Sequence, residues 1–94
     1  MKRACVYILS SNNHKVLYVG VTSQLEQRVW QHKIGVVDGF TKKYHVHKLV
    51  FFELHQSMYS AIEREKQVKK WKREWKENLI KSINPDWADL YDSL

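Results

Sequence analysis

Two tyrosines, an arginine, a histidine and a glutamate are the residues of this chain whose types and positions could support chemistry. They are Tyr7, Tyr18, Arg28, His32 and Glu65. Phenols and imidazoles can exchange protons, a guanidinium holds phosphate through its planar fork, and a carboxylate can bind a metal ion. Together such groups could act on a phosphate ester, although each residue also has a purely structural interpretation.

Glu65 occupies a position at which the helical spacing of its apolar neighbours predicts an apolar residue. The stripe at helical spacing consists of Met58, Ala61, Ile62, Glu65 and Val68. A carboxylate buried on such a face costs several kcal/mol unless it is paired or binds a cation. Two interpretations therefore remain open, a salt bridge to a nearby lysine or arginine, or a metal ligand at the floor of a cleft.

Arg28 and His32 lie four residues apart and flank the apolar stripe of a predicted helix. Arg28 could hold a phosphate, or it could form an ordinary ion pair with Glu26 or Asp38. His32 could be a hydrogen-bonded histidine at the edge of the core. Both side chains can point toward the tyrosines if the preceding segment is a hairpin.

A β-hairpin is predicted from two short runs rich in β-branched and aromatic residues, 4–10 and 16–22. A two-residue turn at Asn12-Asn13 would place Ser11 opposite His14. The same register pairs Tyr7 with Tyr18 and stacks the two phenols on one face.

The predicted hairpin has one apolar face and one face with the phenols. The same register pairs Cys5 with Gly20, which leaves open space beside Tyr18. The opposite face is continuous and apolar, so we expect it to be the core. That face consists of Val6, Ile8, Leu17, Val19 and Val21.

The rest of the chain predicts three helices and a third strand. Ser23 and Glu26 form a capping box for a helix that ends near Gly35, with Leu25, Val29, His32 and Val36 on its buried stripe. A long loop over 35–48 and a strand over 49–54 follow. Ser57 caps the next helix, which runs to residue 70 or 72, and a last helix stops at Ile83 before Asn84-Pro85.

The order ββαβαα predicts an α/β (α+β) fold in which a small sheet is flanked by helices. Ninety-four residues correspond to one domain, 1–94, and a short turn through Trp87 and Leu90 closes the chain. No apolar run reaches the ~18 residues of a membrane span, and no signal peptide is evident. A single cysteine excludes an internal disulfide and a four-thiolate zinc site, so we expect a soluble cytoplasmic protein.

A net charge of +6 favours polyanionic partners, nucleic acid above all. Seven basic residues and two acids fall between residues 64 and 76, and a second basic cluster spans 42–48. The predicted nucleic-acid-binding residues are Lys42, Lys43, Lys48, Arg64, Lys66, Lys69, Lys70, Lys72 and Arg73. The alternative is a solvated helix face and a soluble loop.

Taken together, these positions resemble the GIY-YIG nuclease domain over essentially the whole chain. Its two tripeptides correspond to residues 5–7 (CVY) and 18–20 (YVG), its arginine to Arg28, its following histidine or tyrosine to His32, and its glutamate to Glu65 ahead of Val68-Lys69. The segments 39–44, 64–69 and 84–87 look like those of small stand-alone members. These members are similar to the N-terminal nuclease domain of the bacterial excision-repair endonuclease.

The resemblance implies a three-stranded antiparallel sheet and a metal-dependent endonuclease that hydrolyses phosphodiesters. The substrate is expected to be DNA, with RNA or branched and damaged structures as further possibilities. One Mg²⁺ or Mn²⁺ ion would be held by Glu65. One tyrosine would act as the base, for which Tyr7 is favoured, with Tyr18 positioning the phosphate. Arg28 would stabilise the developing charge and His32 would assist.

Three departures from the family pattern are visible. Cys5 replaces a glycine and Val21 replaces a lysine found in the repair enzymes, and we expect no attached DNA-binding domain. Target choice would then come from the basic clusters, a homodimer or a partner protein. Two alternatives are a nucleic-acid-binding module of the same fold with little turnover, and a protein-interaction adaptor that uses Trp71, Trp75 and Trp87.

Overall fold

The computed structural model describes residues 3–37 and 39–94. Its elements are β1 (Cys5–Ser10), β2 (Leu17–Thr22), α1 (Leu25–Lys33), α2 (Phe40–Lys43), β3 (Lys48–Leu54), α3 (Met58–Lys70), α4 (Arg73–Ile83) and a 3-10 turn (Leu90–Ser93). The strands form one antiparallel sheet in the order β2-β1-β3, which confirms the predicted α+β class. Among the described residues, no helix combines the length and hydrophobicity needed to cross a membrane.

The central strand β1 is buried on both faces, so the expectation that only the apolar face belongs to the core is wrong. Val6 and Ile8 pack in one cluster with residues of α3 and α4. Tyr7 and Leu9 pack in a second cluster with Leu25 of α1 and other residues. The predicted apolar face is therefore core, but the tyrosine face is a second core covered by α1.

The hairpin register differs from the predicted one by two residues. Ser11 donates its backbone N–H to the carbonyl of Val16, so a four-residue loop joins the strands where a two-residue turn was expected. The Ser11 hydroxyl bonds Asn13 and accepts from the Val16 N–H, and His14 adopts a φ of 62°. Because the register moves by an even number of residues, every side chain keeps its predicted face.

Tyr7 therefore lies opposite Gly20, and Tyr18 lies opposite Leu9. The predicted pairs Tyr7–Tyr18 and Cys5–Gly20 are wrong, and the two phenols are diagonal neighbours.

Helix α1 begins without the predicted capping box. Gln24 is its N-cap residue, and the Thr22 hydroxyl accepts the Gln24 N–H at 3.0 Å. The helix ends at Lys33, two residues before the predicted end, and Gly35 follows with a φ of 76°. Leu25, Val29 and His32 are buried as predicted, whereas Val36 is 60% exposed because it lies beyond the helix.

The predicted loop over 35–48 contains a short helix, α2, which brings Thr41 into the interior. Farther along, the Ser57 hydroxyl accepts the Ser60 N–H, which confirms the predicted cap of α3. The α4 boundary at Ile83 is also confirmed. Asn84 is buried there, and its amide bonds the carbonyl of Val50, which ties the chain end to β3.

Candidate active site

Tyr7, Tyr18 and His32 form a compact ring cluster between the sheet and α1. The ring centroids of the two tyrosines are 6.3 Å apart. The His32 ring lies 6.2 Å from that of Tyr7 and 5.7 Å from that of Tyr18. Residues from two strands and a helix thus meet, as the candidate site requires.

Gly20 is the residue that makes room for this cluster. A methyl group at Gly20 would lie 2.4 Å from Cζ and 2.5 Å from the hydroxyl oxygen of Tyr7. These separations are far below van der Waals contact, so any side chain here would displace the phenol. The space at Gly20 is therefore filled by Tyr7, not open beside Tyr18 as the predicted register implied.

His32 is buried and hydrogen-bonded through both ring nitrogens. Nε2 lies 3.4 Å from the Tyr7 hydroxyl, and Nδ1 lies 3.0 Å from the hydroxyl of Thr41. Burial, with a smaller contribution from the nearby Arg28 charge, lowers the pKa of His32 from 6.5 to about 4. The imidazole is therefore neutral at pH 7, with one nitrogen that donates and one that accepts.

Tyr7 is held in its protonated form. Burial raises its pKa to about 12, and the hydrogen bond from the Arg28 guanidinium only partly opposes that rise. The two hydrogen bonds of His32 are consistent with one assignment, in which Tyr7 donates to Nε2 of His32 and Nδ1–H of His32 donates to Thr41. Tyr18, by contrast, is only partly buried, so its phenol is the more accessible of the two.

Arg28 borders a shallow polar depression of about 170 Å³ beside this cluster. The other lining residues are Thr22, Gln24, Gln27 and Gln31. Within the described residues Arg28 forms no ion pair with Glu26, and the alternative partner Asp38 lies outside those residues. A guanidinium beside neutral amides and hydroxyls can accommodate an anionic group.

Sequence reasoning missed both the polar depression and Thr41. The spacing of Gln24, Gln27, Arg28 and Gln31 is i, i+3, i+4 and i+7, which defines one helix face and could have revealed the depression. No such signal marked Thr41, because its contact with His32 depends on the unpredicted helix α2.

Within the described part of the chain, Glu65 forms no hydrogen bond or ion pair with the residues of the ring cluster. It lies on α3, whose buried residues Ala61 and Val68 pack on the other face of the sheet. Its side chain is 14% exposed, and its carboxylate is 3.0 Å from the Lys69 ammonium. The salt-bridge interpretation of this partly buried carboxylate is thus realised.

The donor set for a metal ion is sparse. Among residues 3–37 and 39–94, no group of three or more His, Cys, Asp and Glu side chains could hold an ion. One carboxylate is nevertheless compatible with Mg²⁺, which commonly keeps several waters and binds one or two carboxylates together with substrate phosphates. Glu65 fits that limited role, in competition with Lys69.

Comparison with known proteins identifies the family. Residues 3–78 match the family model described as the GIY-YIG catalytic domain. The chain belongs to the GIY-YIG family. It therefore carries a nuclease-type catalytic domain, and the matched range includes all five candidate residues.

The similar proteins are small, like this chain. A UPF0213 protein of Syntrophus aciditrophicus is 38% identical over 87 residues, which cover 92% of this chain and 98% of the relative. A UPF0213 protein of Clostridium perfringens is 38% identical over 77 residues, with 82% of each chain covered. The solution NMR structure of a UPF0213 protein from Bacillus halodurans has a TM-score of 0.58 and 25% identity, and 93% of this chain and 92% of that chain are covered.

Several of the predicted nucleic-acid-binding residues of this GIY-YIG domain make intramolecular contacts. Arg64 pairs with Glu53, Lys69 with Glu65, and Arg73 with Glu77. Arg73 also donates to the backbone carbonyls of His14 and Lys15, and Lys48 contacts the His14 ring. Lys42 and Lys43 lie on α2, next to the Thr41 that bonds His32.

The remaining three, Lys66, Lys70 and Lys72, are exposed around the junction of α3 and α4. The predicted set thus divides among the α2 surface, close to the ring cluster, the α3–α4 surface on the other side of the sheet, and Lys48 at the start of β3.

Proposed function

We propose that this chain, as a single domain over 1–94, is a metal-dependent endonuclease that hydrolyses phosphodiesters of DNA. The observation that carries the proposal is the cluster of Tyr7, Tyr18 and His32, with Arg28 next to it at the edge of a polar depression. The GIY-YIG membership adds the reaction class. RNA and branched or damaged DNA are further substrates to be tested.

Arg28 would hold the scissile phosphate from the depression and stabilise charge that develops on its oxygens. A hydrogen bond from Arg28 to the Tyr7 oxygen would orient the guanidinium before the reaction begins. A fixed donor stabilises a transition state better than a mobile one, because no free energy is then spent on its orientation.

The difference in burial between the two tyrosines favours a division of roles opposite to the sequence-based preference. Tyr7 has a pKa of about 12 and its hydroxyl is engaged by Arg28 and His32, so it suits a positioning role. Tyr18 is accessible and would orient the attacking water or accept its proton. His32, neutral at pH 7, would keep Tyr7 in place through Nε2.

Glu65 would hold one Mg²⁺ or Mn²⁺ ion. A bound divalent ion supplies charge neutralisation at the phosphate and lowers the pKa of coordinated water. Since Lys69 is paired with Glu65, the ion would have to replace that ammonium as the partner of the carboxylate.

Cleavage of labelled DNA and RNA, including single strands, nicks and flaps, tests this proposal. The assay compares magnesium with a chelator, and wild type with Glu65→Gln and a matched control, Glu63→Gln, which alters an exposed carboxylate on the same helix. We expect cleavage by wild type and Glu63→Gln in magnesium, and loss of the magnesium-stimulated rate in Glu65→Gln. Equal rates in all three proteins would remove Glu65 from the metal site. Nucleic-acid binding without cleavage of any substrate would favour the binding-module alternative.

A further inference from the structure

Two tryptophans form an open groove at the junction of α3 and α4. Their ring centroids are 6.1 Å apart and their planes meet at 77°, so Trp71 and Trp75 form two walls and do not stack face to face. Asn78, Leu79 and Ser82 of α4 complete the groove, which has a volume of about 390 Å³. Trp75 is 51% exposed, although an indole of this kind normally finds a place in a core or an interface.

The Trp71 wall is fixed in place. The Arg64 guanidinium lies 5.0 Å from the centroid of the Trp71 ring, in a cation–π contact. Arg64 is itself held by Glu53, with Nε 2.8 Å and Nη2 3.4 Å from its carboxylate oxygens. One wall of the groove is thus preformed, which reduces the entropy that would be lost when a ligand binds there.

The surroundings of the groove are positively charged. Within the part of the chain that the structure describes, Lys66, Lys70, Lys72 and Lys76 take part in no ion pair. Lys72 separates the two tryptophans in sequence, and Lys76 directly follows Trp75. An apolar peptide would gain nothing from these ammonium groups, whereas a phosphate backbone would be neutralised by them.

We propose that this groove binds an unpaired base of single-stranded nucleic acid, with the base stacked on Trp75. Flanking phosphates would contact Lys72 and Lys76, and the Asn78 amide, which both donates and accepts, can bond the edge of a base. Aromatic stacking combined with a basic backbone track is the usual chemistry of single-strand recognition. The inference rests on the proposed action on nucleic acid and adds its substrate class, structures that contain unpaired bases.

The adaptor alternative is weakened by the third tryptophan. Trp87 is buried and stacks on His14 with 4.7 Å between ring centroids, so the three indoles do not share one exposed face. The groove also lies on the α3–α4 side of the sheet, whereas the ring cluster lies on the α1 side. We therefore expect the groove to affect substrate affinity and leave the chemical step at the ring cluster unchanged.

Fluorescence anisotropy with a chelator present measures this binding without cleavage. The probes are a short labelled oligothymidylate and a blunt duplex, each titrated with wild type, Trp75→Ala and a matched control, Trp30→Ala. Trp30 is 50% exposed on α1, so the control removes an equally exposed indole outside the groove. We expect Trp75→Ala to weaken single-strand binding about tenfold, with duplex binding changed by less than about twofold. Trp75→Phe should retain an intermediate affinity.

The possible results separate this proposal from the proposed nuclease function. Single-strand binding that depends on Trp75, without any cleavage, would support the groove and contradict the nuclease function. Cleavage by wild type, with Trp75→Ala and wild type equal in single-strand affinity, would overturn the groove and leave the nuclease function standing. Absence of any preference for the single strand in wild type would also overturn it and would make an apolar protein segment the occupant to seek.

Discussion

Replacement of Arg28 by alanine is expected to lower the single-turnover cleavage rate about 100-fold to 1000-fold. The guanidinium is the cationic group that lines the polar depression, and it lies close enough to Tyr7 to lower the pKa of that phenol. Its loss removes charge stabilisation that matters more in the transition state than in the ground state, so the maximal rate should fall more than the affinity. The measurement is single-turnover cleavage at saturating protein, with binding measured separately by anisotropy.

Two further variants give this experiment its controls. Arg28→Lys retains the charge but loses the planar fork, and we expect it to recover only part of the rate. Gln27→Ala removes a neutral neighbour from the same depression and should stay within a few-fold of wild type. Cleavage by Arg28→Ala at the wild-type rate would show that the depression is not where the phosphate reacts.

Acidification from pH 6.5 to pH 4 is expected to destabilise the protein by up to about 3 kcal/mol through His32 alone. Burial lowers the pKa of His32 to about 4 in the folded state, whereas the unfolded chain has the ordinary value of 6.5. Between pH 6.5 and pH 4 the unfolded state binds more protons than the folded state does. The contribution of His32 to the free energy of unfolding is therefore fully present above pH 6.5 and declines as the pH falls toward 4. A folded-state pKa of 6.5 would remove this contribution.

Urea unfolding at several pH values measures this contribution, with His32→Gln as the comparison. The other histidines and all carboxylates are common to both proteins, so the difference in slope between pH 6.5 and 4 isolates His32. The variant loses the bonds to Tyr7 and Thr41 and should be less stable at pH 7, but it should lose less stability on acidification. If the free energies of unfolding of the two proteins changed in parallel with pH, His32 would not be a buried, neutral imidazole.

Most of the fold could be predicted because local sequence patterns mark where its helices and strands begin and end. The Ser57 cap, the stop at Asn84-Pro85 and the strand-like runs all correspond to structural boundaries. The hairpin register was not predictable in the same way. The hydroxyl of Ser11 bridges the loop to Asn13 and Val16, and this contact competes with a two-residue turn that the sequence also permits.

The candidate site was predictable in part, for a related reason. Tyr7, Tyr18, Arg28 and His32 come together because the strand and helix faces that carry them were assigned correctly. The error in the hairpin register did not change those faces. Burial of the tyrosine face and the contact of Thr41 with His32 depend on how α1 and α2 pack, which no local pattern encodes. The position of Glu65 relative to the tyrosines likewise depends on which face of the sheet α3 covers.

If the ring cluster and Arg28 form the reaction site, a bound phosphodiester must lie next to them. An NMR titration of the ¹⁵N-labelled chain with a short DNA duplex, in the presence of a chelator to prevent cleavage, would locate it. We expect chemical-shift changes at the backbone amides of Tyr18, Gly20 and Arg28 and at the Arg28 side-chain Nε–H. Saturable binding that leaves these signals unmoved, with changes confined to α3 and α4, would contradict it.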